Sequence, residues 1–289
     1  MAAGSAIATA NAGVSAASQS AAASVAYVQS AATASVAQYQ SATSSYQRQP
    51  LQPVPQTELS IVSLDNLECI LQALWGTTSG STSQMVQLTA TTDLEDFGQA
   101  SNLFKLPGRT LHNIYRVQNV TLFVQYMTEK RKMDQMYATQ ADFSVSKELF
   151  LYHGTNRMNV ENINANGFDR SYSGTNGTVY GKGAYFARDL SYSANDKFSP
   201  VDATSGHKFV YAARVLVGRF CQGTPNMQYL PNQESGISFD SAVDNVAYPN
   251  VFVIFRDIRA YPSYLFEFSW LSHVEIPLYQ IFLITSNLQ

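Results

Sequence analysis

The sequence predicts an α+β fold preceded by a disordered N-terminal tail, and three observations support this. Helix-like and strand-like segments mix along the chain without the regular alternation of a parallel doubly wound sheet. Apolar residues recur with helical spacing in some segments and with a period of two in others. The first 57 residues differ sharply in composition from everything that follows, so the folded part is expected to begin near residue 58.

Residues 1–57 are predicted to be a disordered, low-complexity tail. They consist largely of Ala, Ser, Gln and Thr, and Arg48 is their only charged side chain. Their apolar residues are mostly Ala, which buries too little surface to offset the entropy of ordering the chain. A transient helix is the alternative, since Ala has the highest helix propensity. Removing this tract leaves about 230 residues, which is enough for one sizeable core.

The segment 58–102 is expected to be a helical preface to the main domain. Ser63 or Asp65 could cap a short helix that ends near Gly76. Apolar periodicity predicts the next three elements, which are a helix over 93–103, a strand over 111–117 and a helix over 122–137.

The core of the domain is expected over 103–268 and combines further strands with one short helix. The apolar pattern predicts strands over 149–153, 209–217, 251–255 and 264–268 and a helix over 157–165 that Gly167 ends. Two long polar loops, 169–183 and 218–249, are candidates for functional segments. Residues 269–289 are expected to form a C-terminal extension.

Composition and charge exclude several classes of protein. The net charge of −3 and the isoelectric point near 5.8 give no reason to expect general binding to nucleic acid or anionic membrane. Cys69 and Cys221 are too few for a disulfide framework or a zinc site, and no other metal site is predicted. There is no apolar run near the ~20 residues of a membrane span, and no secretory signal pattern. An intracellular protein of the cytoplasm, the nucleus or both is expected, without a membrane partner.

Three sequence features suggest chemistry. A predicted strand ends in Tyr-His-Gly-Thr over 152–155, Tyr-Gly-Lys-Gly-Ala-Tyr-Phe-Ala covers the loop 180–187, and Ser193 follows Tyr185 by eight residues. Each feature alone is weak, because a single His at a strand end is more often structural and a lone Tyr more often belongs to a core. The loop also lacks the third Gly of a dinucleotide fingerprint. Their joint order and spacing is the informative observation.

In that order the features closely resemble the catalytic domain of the poly(ADP-ribose) polymerases (PARPs), which are diphtheria-toxin-like ADP-ribosyltransferases. The similarity is greatest to the mono-ADP-ribosylating branch related to macrodomain-containing PARPs. Matching blocks occur at 115–119, 151–155, 167–171, 180–187, 191–194, 214–216, 239–241, 251–255 and 260–262. The resemblance implies the ADP-ribosyltransferase fold, with two packed, mostly antiparallel sheets and flanking helices.

The resemblance also implies NAD⁺ as co-substrate and assigns roles within the motifs. His153 is expected to hydrogen-bond a ribose hydroxyl on the adenosine side, and Tyr185 to stack on the nicotinamide ring. The backbone of Gly154, next to Thr155 in the same donor-binding motif, and the hydroxyl of Ser193 are expected to grip the carboxamide. No metal takes part in this scheme.

Two further roles follow from the resemblance. In the family a second aromatic residue closes the other face of the nicotinamide ring, and both Phe198 and Tyr192 are candidates for it. The loop from Asp169 to Gly181 is expected to cover the donor as a lid. Within it, Arg170 is a candidate for binding the pyrophosphate.

The third position of the family's His–Tyr–Glu triad carries Val251, so the predicted catalytic residues are His153, Tyr185 and Val251. Polymer-forming members place a Glu there, which helps to activate the next hydroxyl of a growing chain. Valine cannot act as a general base, and such a base typically contributes about 10²–10⁴-fold to a rate. Mono-ADP-ribosylating relatives have an aliphatic residue here, and a carboxylate of the target is proposed to serve instead. Asp257 and Glu267 are the nearest acids in sequence, and both are expected to be structural.

The sequence therefore predicts transfer of single ADP-ribose units from NAD⁺ to protein acceptors, the chain itself counted among them, with release of nicotinamide. The alternative is a degenerate PARP-fold protein that binds NAD⁺ or ADP-ribose or acts as a scaffold. Such relatives typically lose the His or the Tyr, and both are present here. Polymerase activity is disfavoured by Val251. No DNA-binding module, zinc finger or regulatory helical domain is evident in the sequence.

Overall fold

The computed structural model of the chain describes residues 52–53, 75, 83–91, 93–138, 147–172 and 178–270. The predicted tail 1–57 lies outside the described residues, apart from a short strand at Gln52–Pro53. Trp75 is the one described residue of the helix expected to end near Gly76, and it is helical. The predicted C-terminal extension 269–289 is described only at its first two residues.

The strands are β1 Gln52–Pro53, β2 Gln84–Gln87, β3 Arg109–Gln118, β4 Glu148–Thr155, β5 Ala184–Ala187, β6 Lys208–Leu216, β7 Phe220–Gln222, β8 Ser241–Val243, β9 Val251–Ile254 and β10 Ala260–Trp270. The α-helices are α1 Leu94–Leu103, α2 Val120–Ala138, α3 Val160–Asn166 and α4 Leu190–Ser193. Single 3-10 turns occur at Arg157–Asn159, Arg170–Tyr172 and Asp257–Arg259.

The strands form one hydrogen-bonded path in the order β2-β3-β10-β6-β4-β5-β9-β8-β7, and β1 pairs with β4. Neighbours are antiparallel except for the parallel pair of β7 and β8. The path narrows between β4 and β5, which pair only at Tyr152 and Ala187. The two expected sheets are thus two halves of one path: a large half from β2 to β4, and a small half from β5 to β7.

The main core lies between these two halves. Side chains alternate between the faces of a strand, so each half contributes every second residue to this core, among them Leu149, Leu151, Tyr211, Phe186, Phe252 and Ile254. The other face of the large half is covered by α1 and α4, through Leu103 and Leu190. Two cores therefore hold β4 from both sides, which fixes the strand that carries His153 and Gly154.

The predicted α+β class is confirmed, and so are the eight main predicted elements between residues 93 and 268, with bounds that shift by a few residues. Five short strands were missed, and β1 is the one that lies within the predicted tail 1–57. β2 lies within the segment 58–102, which is therefore not wholly helical, and β5 forms the second half of the predicted loop 180–187. β7 and β8 lie within the predicted loop 218–249. Each of these strands has only two to four residues, too few to establish a period of two.

Candidate active site

The predicted site residues His153, Gly154, Tyr185 and Ser193 lie where the two halves of the sheet separate. The described pairing between β4 and β5 stops at Tyr152 and Ala187. Because these strands are antiparallel, the positions that follow on β4 are His153 and Gly154, and those that face them on β5 precede Ala187. The opening between residues 153–154 and residues 185–186 is called the fork below.

His153 bridges the fork. Its Nδ1 lies 2.8 Å from the backbone oxygen of Tyr185, and because a carbonyl oxygen can only accept, Nδ1 carries the proton. The rings of Phe168 and Phe186 flank the imidazole, with centroids 5.0 and 5.6 Å away. Burial lowers the pKa of His153 below its ordinary value of 6.5, although the hydrogen bond to Tyr185 acts in the opposite direction. The ring is neutral at pH 7, which leaves Nε2 as a hydrogen-bond acceptor.

Gly154 lets the segment that follows α4 pack directly against β4. A Cβ at this position would overlap the carbonyl oxygen of Ser193 and lie 2.9 Å from Cβ of Phe198. Ser193 is buried, and its hydroxyl donates to the carbonyl of Tyr152 at 2.9 Å. Backbone groups at positions i and i+2 of a strand point to the same side, so the N–H and C=O of Gly154 also face this segment. The Gly154 backbone and the Ser193 hydroxyl therefore form one wall of the fork, called the Gly154–Ser193 wall.

The hydroxyl group of Tyr185 makes two hydrogen bonds that fix the side chain. The hydroxyl donates to the carbonyl of Gly181 at 2.8 Å and accepts from the backbone N–H of Tyr180 at 3.0 Å. Burial raises the pKa of Tyr185, so the phenol is neutral at pH 7. The polar tip of the side chain is engaged, which makes the aromatic ring the part available to a ligand.

The two candidates for the second aromatic residue stack on each other. The ring centroids of Tyr192 and Phe198 are 5.2 Å apart, and the ring planes are 19° from parallel. Phe198 is the member of the pair that lies against Gly154. Tyr192 thus supports the ring of Phe198, and Phe198 is the one next to the Gly154–Ser193 wall.

Val251 begins β9 and is 4% exposed. It pairs with Ala187, while Tyr185 pairs with Val253. Residues two apart in a strand share a face, so Tyr185 and Val251 lie on the same face of the β5–β9 pair. The backbone N–H of Val251 donates to Asp244 at 3.0 Å. At this place in the fold the side chain offers only an apolar surface.

Arg170 and Thr155 have their polar groups engaged outside the fork. The guanidinium of Arg170 donates to the carbonyl of Phe255 at 2.8 Å, and its backbone N–H donates to Asp257 at 3.0 Å. Thr155 is buried, and its hydroxyl makes a long contact of 3.4 Å with the carbonyl of Asn156. The contact of either residue with NAD⁺ stays a prediction. Residues 173–177 of the expected lid lie outside the described part of the chain.

Glu267 belongs to a separate polar cluster on the large half, where it accepts hydrogen bonds from His207, Asn113 and Tyr115. Burial acts to raise the pKa of Glu267, but these hydrogen bonds outweigh it and the pKa is lowered. Burial raises the pKa of Asp257, although its hydrogen bond from Arg170 acts to lower it. Both acids are thus engaged by partners of the fold.

Sequence reasoning missed the residues that hold the site rather than line it. Phe168 and Phe186 lie within the matched motifs, but a motif does not show that they pack on His153. Lys208 was missed as well. It precedes the predicted strand 209–217, where a lysine is ordinarily a solvated flank, and here its side chain is fully buried.

Within the described residues, no helix is long and apolar enough to cross a membrane. No group of three or more His, Cys, Asp or Glu side chains in the same part of the chain is placed to hold a metal ion.

Comparison with known proteins gives a consistent result. A family model for the poly(ADP-ribose) polymerase catalytic domain matches residues 95–239. The chain is similar to protein mono-ADP-ribosyltransferase PARP14 of Homo sapiens, with 40% identity over 175 residues, which cover 60% of this chain and 9% of the relative. It is 40% identical over 154 residues to protein mono-ADP-ribosyltransferase PARP10 of Mus musculus, covering 53% of this chain and 15% of the relative.

A third similar protein is protein mono-ADP-ribosyltransferase PARP12 of Homo sapiens. It is 35% identical over 187 residues, which cover 63% of this chain and 26% of the relative. The chain therefore matches only 9 to 26% of the length of these three curated proteins.

Proposed function

Because the chain belongs to the poly(ADP-ribose) polymerase catalytic-domain family, we propose that it transfers single ADP-ribose units from NAD⁺ to protein acceptors and releases nicotinamide. The fork is the observation that carries the proposal, since neutral His153, Tyr185 and the Gly154–Ser193 wall meet there. The similar curated proteins are named as mono-ADP-ribosyltransferases, which favours transfer of single units.

In this proposal the nicotinamide end of NAD⁺ occupies the fork. The Gly154–Ser193 wall grips the carboxamide, which has both a donor and an acceptor and so suits a backbone amide beside a hydroxyl. The ring lies between Tyr185 and Phe198. Stacking of a base on an aromatic side chain is worth about 1–3 kcal/mol in nucleic-acid complexes, and a similar gain is expected here.

His153 orients the donor through Nε2. As the hydrogen-bond acceptor of a neutral imidazole, Nε2 accepts a hydrogen bond from a ribose hydroxyl on the adenosine side. The bond from Nδ1 to the Tyr185 carbonyl fixes the tautomer and the plane of the ring at once. His153 therefore holds the adenosine-side ribose in a fixed position relative to both β4 and β5. Both strands also bear residues proposed to contact the nicotinamide.

The transfer itself needs positioning more than proton transfer. The bond between C1′ of the ribose and the nicotinamide nitrogen breaks, and its electron pair leaves with nicotinamide, which departs neutral. A lone pair of the acceptor forms the new bond to C1′. If the acceptor atom carries a proton, that proton goes to solvent or to a base of the acceptor protein. Holding the reacting groups in line can contribute about 7–11 kcal/mol to such a step.

Val251 limits the reaction to one unit in this proposal. Adding a second ADP-ribose requires a ribose hydroxyl to be activated as the nucleophile, and an aliphatic side chain cannot accept its proton. A carboxylate on the acceptor needs no such activation, because it is already ionised at pH 7. The first transfer therefore proceeds where the second does not, and acidic side chains of other proteins or of this chain are the proposed acceptors.

The test is incubation of the purified chain with NAD⁺ labelled in its ADP-ribose part, followed by gel electrophoresis. We expect label in one discrete band in the wild type and almost none in Ser193→Ala or His153→Asn. Ser191→Ala is the matched control, because Ser191 lies exposed on the same helix α4 and should transfer normally.

A smear of label would indicate polymer and contradict single transfer. If the wild type binds NAD⁺ but transfers no label to itself or to other proteins, the degenerate binding protein is the better description. If it does not bind NAD⁺ at all, the proposed use of the fork is wrong.

A further inference from the structure

We infer that Lys208 is a positioning residue that holds the nicotinamide-binding segment in place, although it lies outside the fork. The inference rests on the proposed function, since it names a residue on which that site depends. The segment concerned is 193–199, which carries Ser193 at one end and Phe198 near the other and is called the nicotinamide segment below.

The side chain of Lys208 is fully buried at the start of β6. Its Nζ donates to the carbonyl of Ala194 at 2.5 Å and to the carboxylate of Asp196 at 2.6 Å. Nζ also lies 5.3 Å from the centroid of the Trp270 ring. A buried ammonium group is costly unless such acceptors satisfy it, so the position of Lys208 and that of its two partners are tied together.

Both hydrogen-bonded partners belong to the nicotinamide segment. The residue after Lys208 contributes a third tie, because the backbone N–H of Phe209 donates to the hydroxyl of Ser199 at 3.0 Å. The segment is thus held at residues 194, 196 and 199 by two consecutive residues of β6. β6 pairs with β4 along residues 148–155. The contacts of β6 therefore hold the segment at a fixed position relative to β4, the strand that carries Gly154.

The tight packing at Gly154 makes the site sensitive to the position of the nicotinamide segment relative to β4. The Ser193 carbonyl and Phe198 approach Gly154 so closely that there is no room for a Cβ between them. A shift of the segment relative to β4 would therefore change the distance across the Gly154–Ser193 wall and the distance from Phe198 to Tyr185. Both changes affect recognition of the nicotinamide ring and leave the adenosine end of the ligand untouched.

Replacement of Lys208 need not unfold the protein. Methionine has a similar length and can fill the buried volume of the lysine side chain. Asp196 is 76% exposed and can turn to solvent when the ammonium is absent. The expected defect is in ligand recognition rather than in the fold.

The experiment compares two ligands by calorimetric titration of the full chain. Nicotinamide probes the fork, whereas ADP-ribose lacks the nicotinamide ring and probes the rest of the donor site. In Lys208→Met we expect nicotinamide to bind about tenfold more weakly, as the loss of one to two hydrogen bonds implies, with less than about a twofold change for ADP-ribose. Lys208→Arg, which keeps the charge, should recover part of the nicotinamide affinity. Lys105→Met, which removes an exposed lysine, is the control and should bind both ligands normally.

Asp196→Ala provides a second variant that removes one partner from the exposed side, and nicotinamide binding should weaken in the same direction by a smaller factor. Unchanged nicotinamide affinity in a folded Lys208→Met protein would overturn the inference, and so would an equal loss for both ligands. If Lys208→Met does not fold, unchanged nicotinamide affinity in Asp196→Ala would overturn it. If the wild type fails to bind nicotinamide, the proposed function fails first and this inference falls with it.

Discussion

The two halves of the sheet differ in construction, and the site is built from both. The principal strands of the large half, β3, β4, β6 and β10, have 8 to 11 residues and pair along most of their length. Those of the small half have three or four residues each. A single pair, Tyr152 with Ala187, joins the halves, and the fork opens directly beside it.

This difference suggests a division of labour. The large half supplies His153, Gly154 and, through β6, the support of the segment that bears Ser193. The small half supplies Tyr185 and Val251. Changes on the large half, and at Tyr185 on the small half, are therefore expected to weaken or abolish binding of the donor, whereas changes at Val251 are expected to alter what happens to the donor once it is bound.

Gly154→Ala should have the largest effect. A Cβ would overlap the Ser193 carbonyl, so the segment must move away from β4, and a displacement of this kind can lower a rate about 10²-fold. The measurement is the rate of label transfer, together with thermal unfolding. Gly98→Ala is the matched control, because a Cβ at this position of α1 meets no atom within 4 Å, and it should stabilise the helix by about 0.5–1 kcal/mol. Normal transfer by Gly154→Ala would break the assignment of the wall.

Val251→Glu tests the small half. A carboxylate in place of a side chain that is 4% exposed should destabilise the fold by about 2–4 kcal/mol. We expect faster loss of NAD⁺ to hydrolysis and a product that still carries single units, because elongation also requires a site for the acceptor ADP-ribose. The control is Val246→Glu at a position that is 47% exposed, where neither effect is expected. Chains of ADP-ribose from the Val251→Glu variant would show that the aliphatic residue alone limits the product.

The stacked aromatic pair allows a finer comparison within one segment. Phe198→Ala should weaken nicotinamide binding by about 1–3 kcal/mol, because the variant loses the ring that we propose stacks on the nicotinamide. Tyr192→Ala removes only the support behind that ring, which is worth about 0.5–1.5 kcal/mol. Titration with nicotinamide measures both. The reverse order of effects would assign the stacking role to Tyr192.

The smallest expected effect is a dependence of the free energy of unfolding on pH, caused by the titration of His153. Its pKa is below 6.5 in the fold and near 6.5 when the chain unfolds, so between these values the unfolded state binds more protons. Stability is therefore fully present above pH 6.5 and falls below it, by up to about 1.4 kcal/mol per pH unit until the folded pKa is reached. Urea unfolding of the wild type and of His153→Asn, which cannot titrate, should show a stability difference that shrinks as the pH is lowered. A difference independent of pH would mean that the pKa of His153 is not lowered in the fold.

The sequence predicted the large half well and the small half poorly, for a physical reason. Long strands such as β6 and β10 carry enough apolar residues for a pattern to show, whereas β7 and β8 are three residues long and lie among polar loop residues. Their strand conformation depends on neighbours that are distant in sequence. β5 was missed for another reason, because its residues belong to the motif 180–187, which was interpreted as a loop.

Within the site, the motifs predicted which residues gather at the fork but not how each is held. Neither the tautomer of His153, which depends on a carbonyl 32 positions away, nor the buried ammonium of Lys208 follows from a local pattern. The position of Arg170 in the motif suggests a contact with the donor, which stays a prediction. The motif did not show that its guanidinium also donates to the carbonyl of Phe255.

Mass spectrometry of the modified protein after reaction with NAD⁺ tests the central claim most directly. Peptides from the wild-type reaction should each carry one ADP-ribose at a modified residue, and the same sites should be empty in the Ser193→Ala reaction. Peptides that carry chains of two or more ADP-ribose units at one residue in the wild type would contradict the assignment of this chain as a mono-ADP-ribosyltransferase.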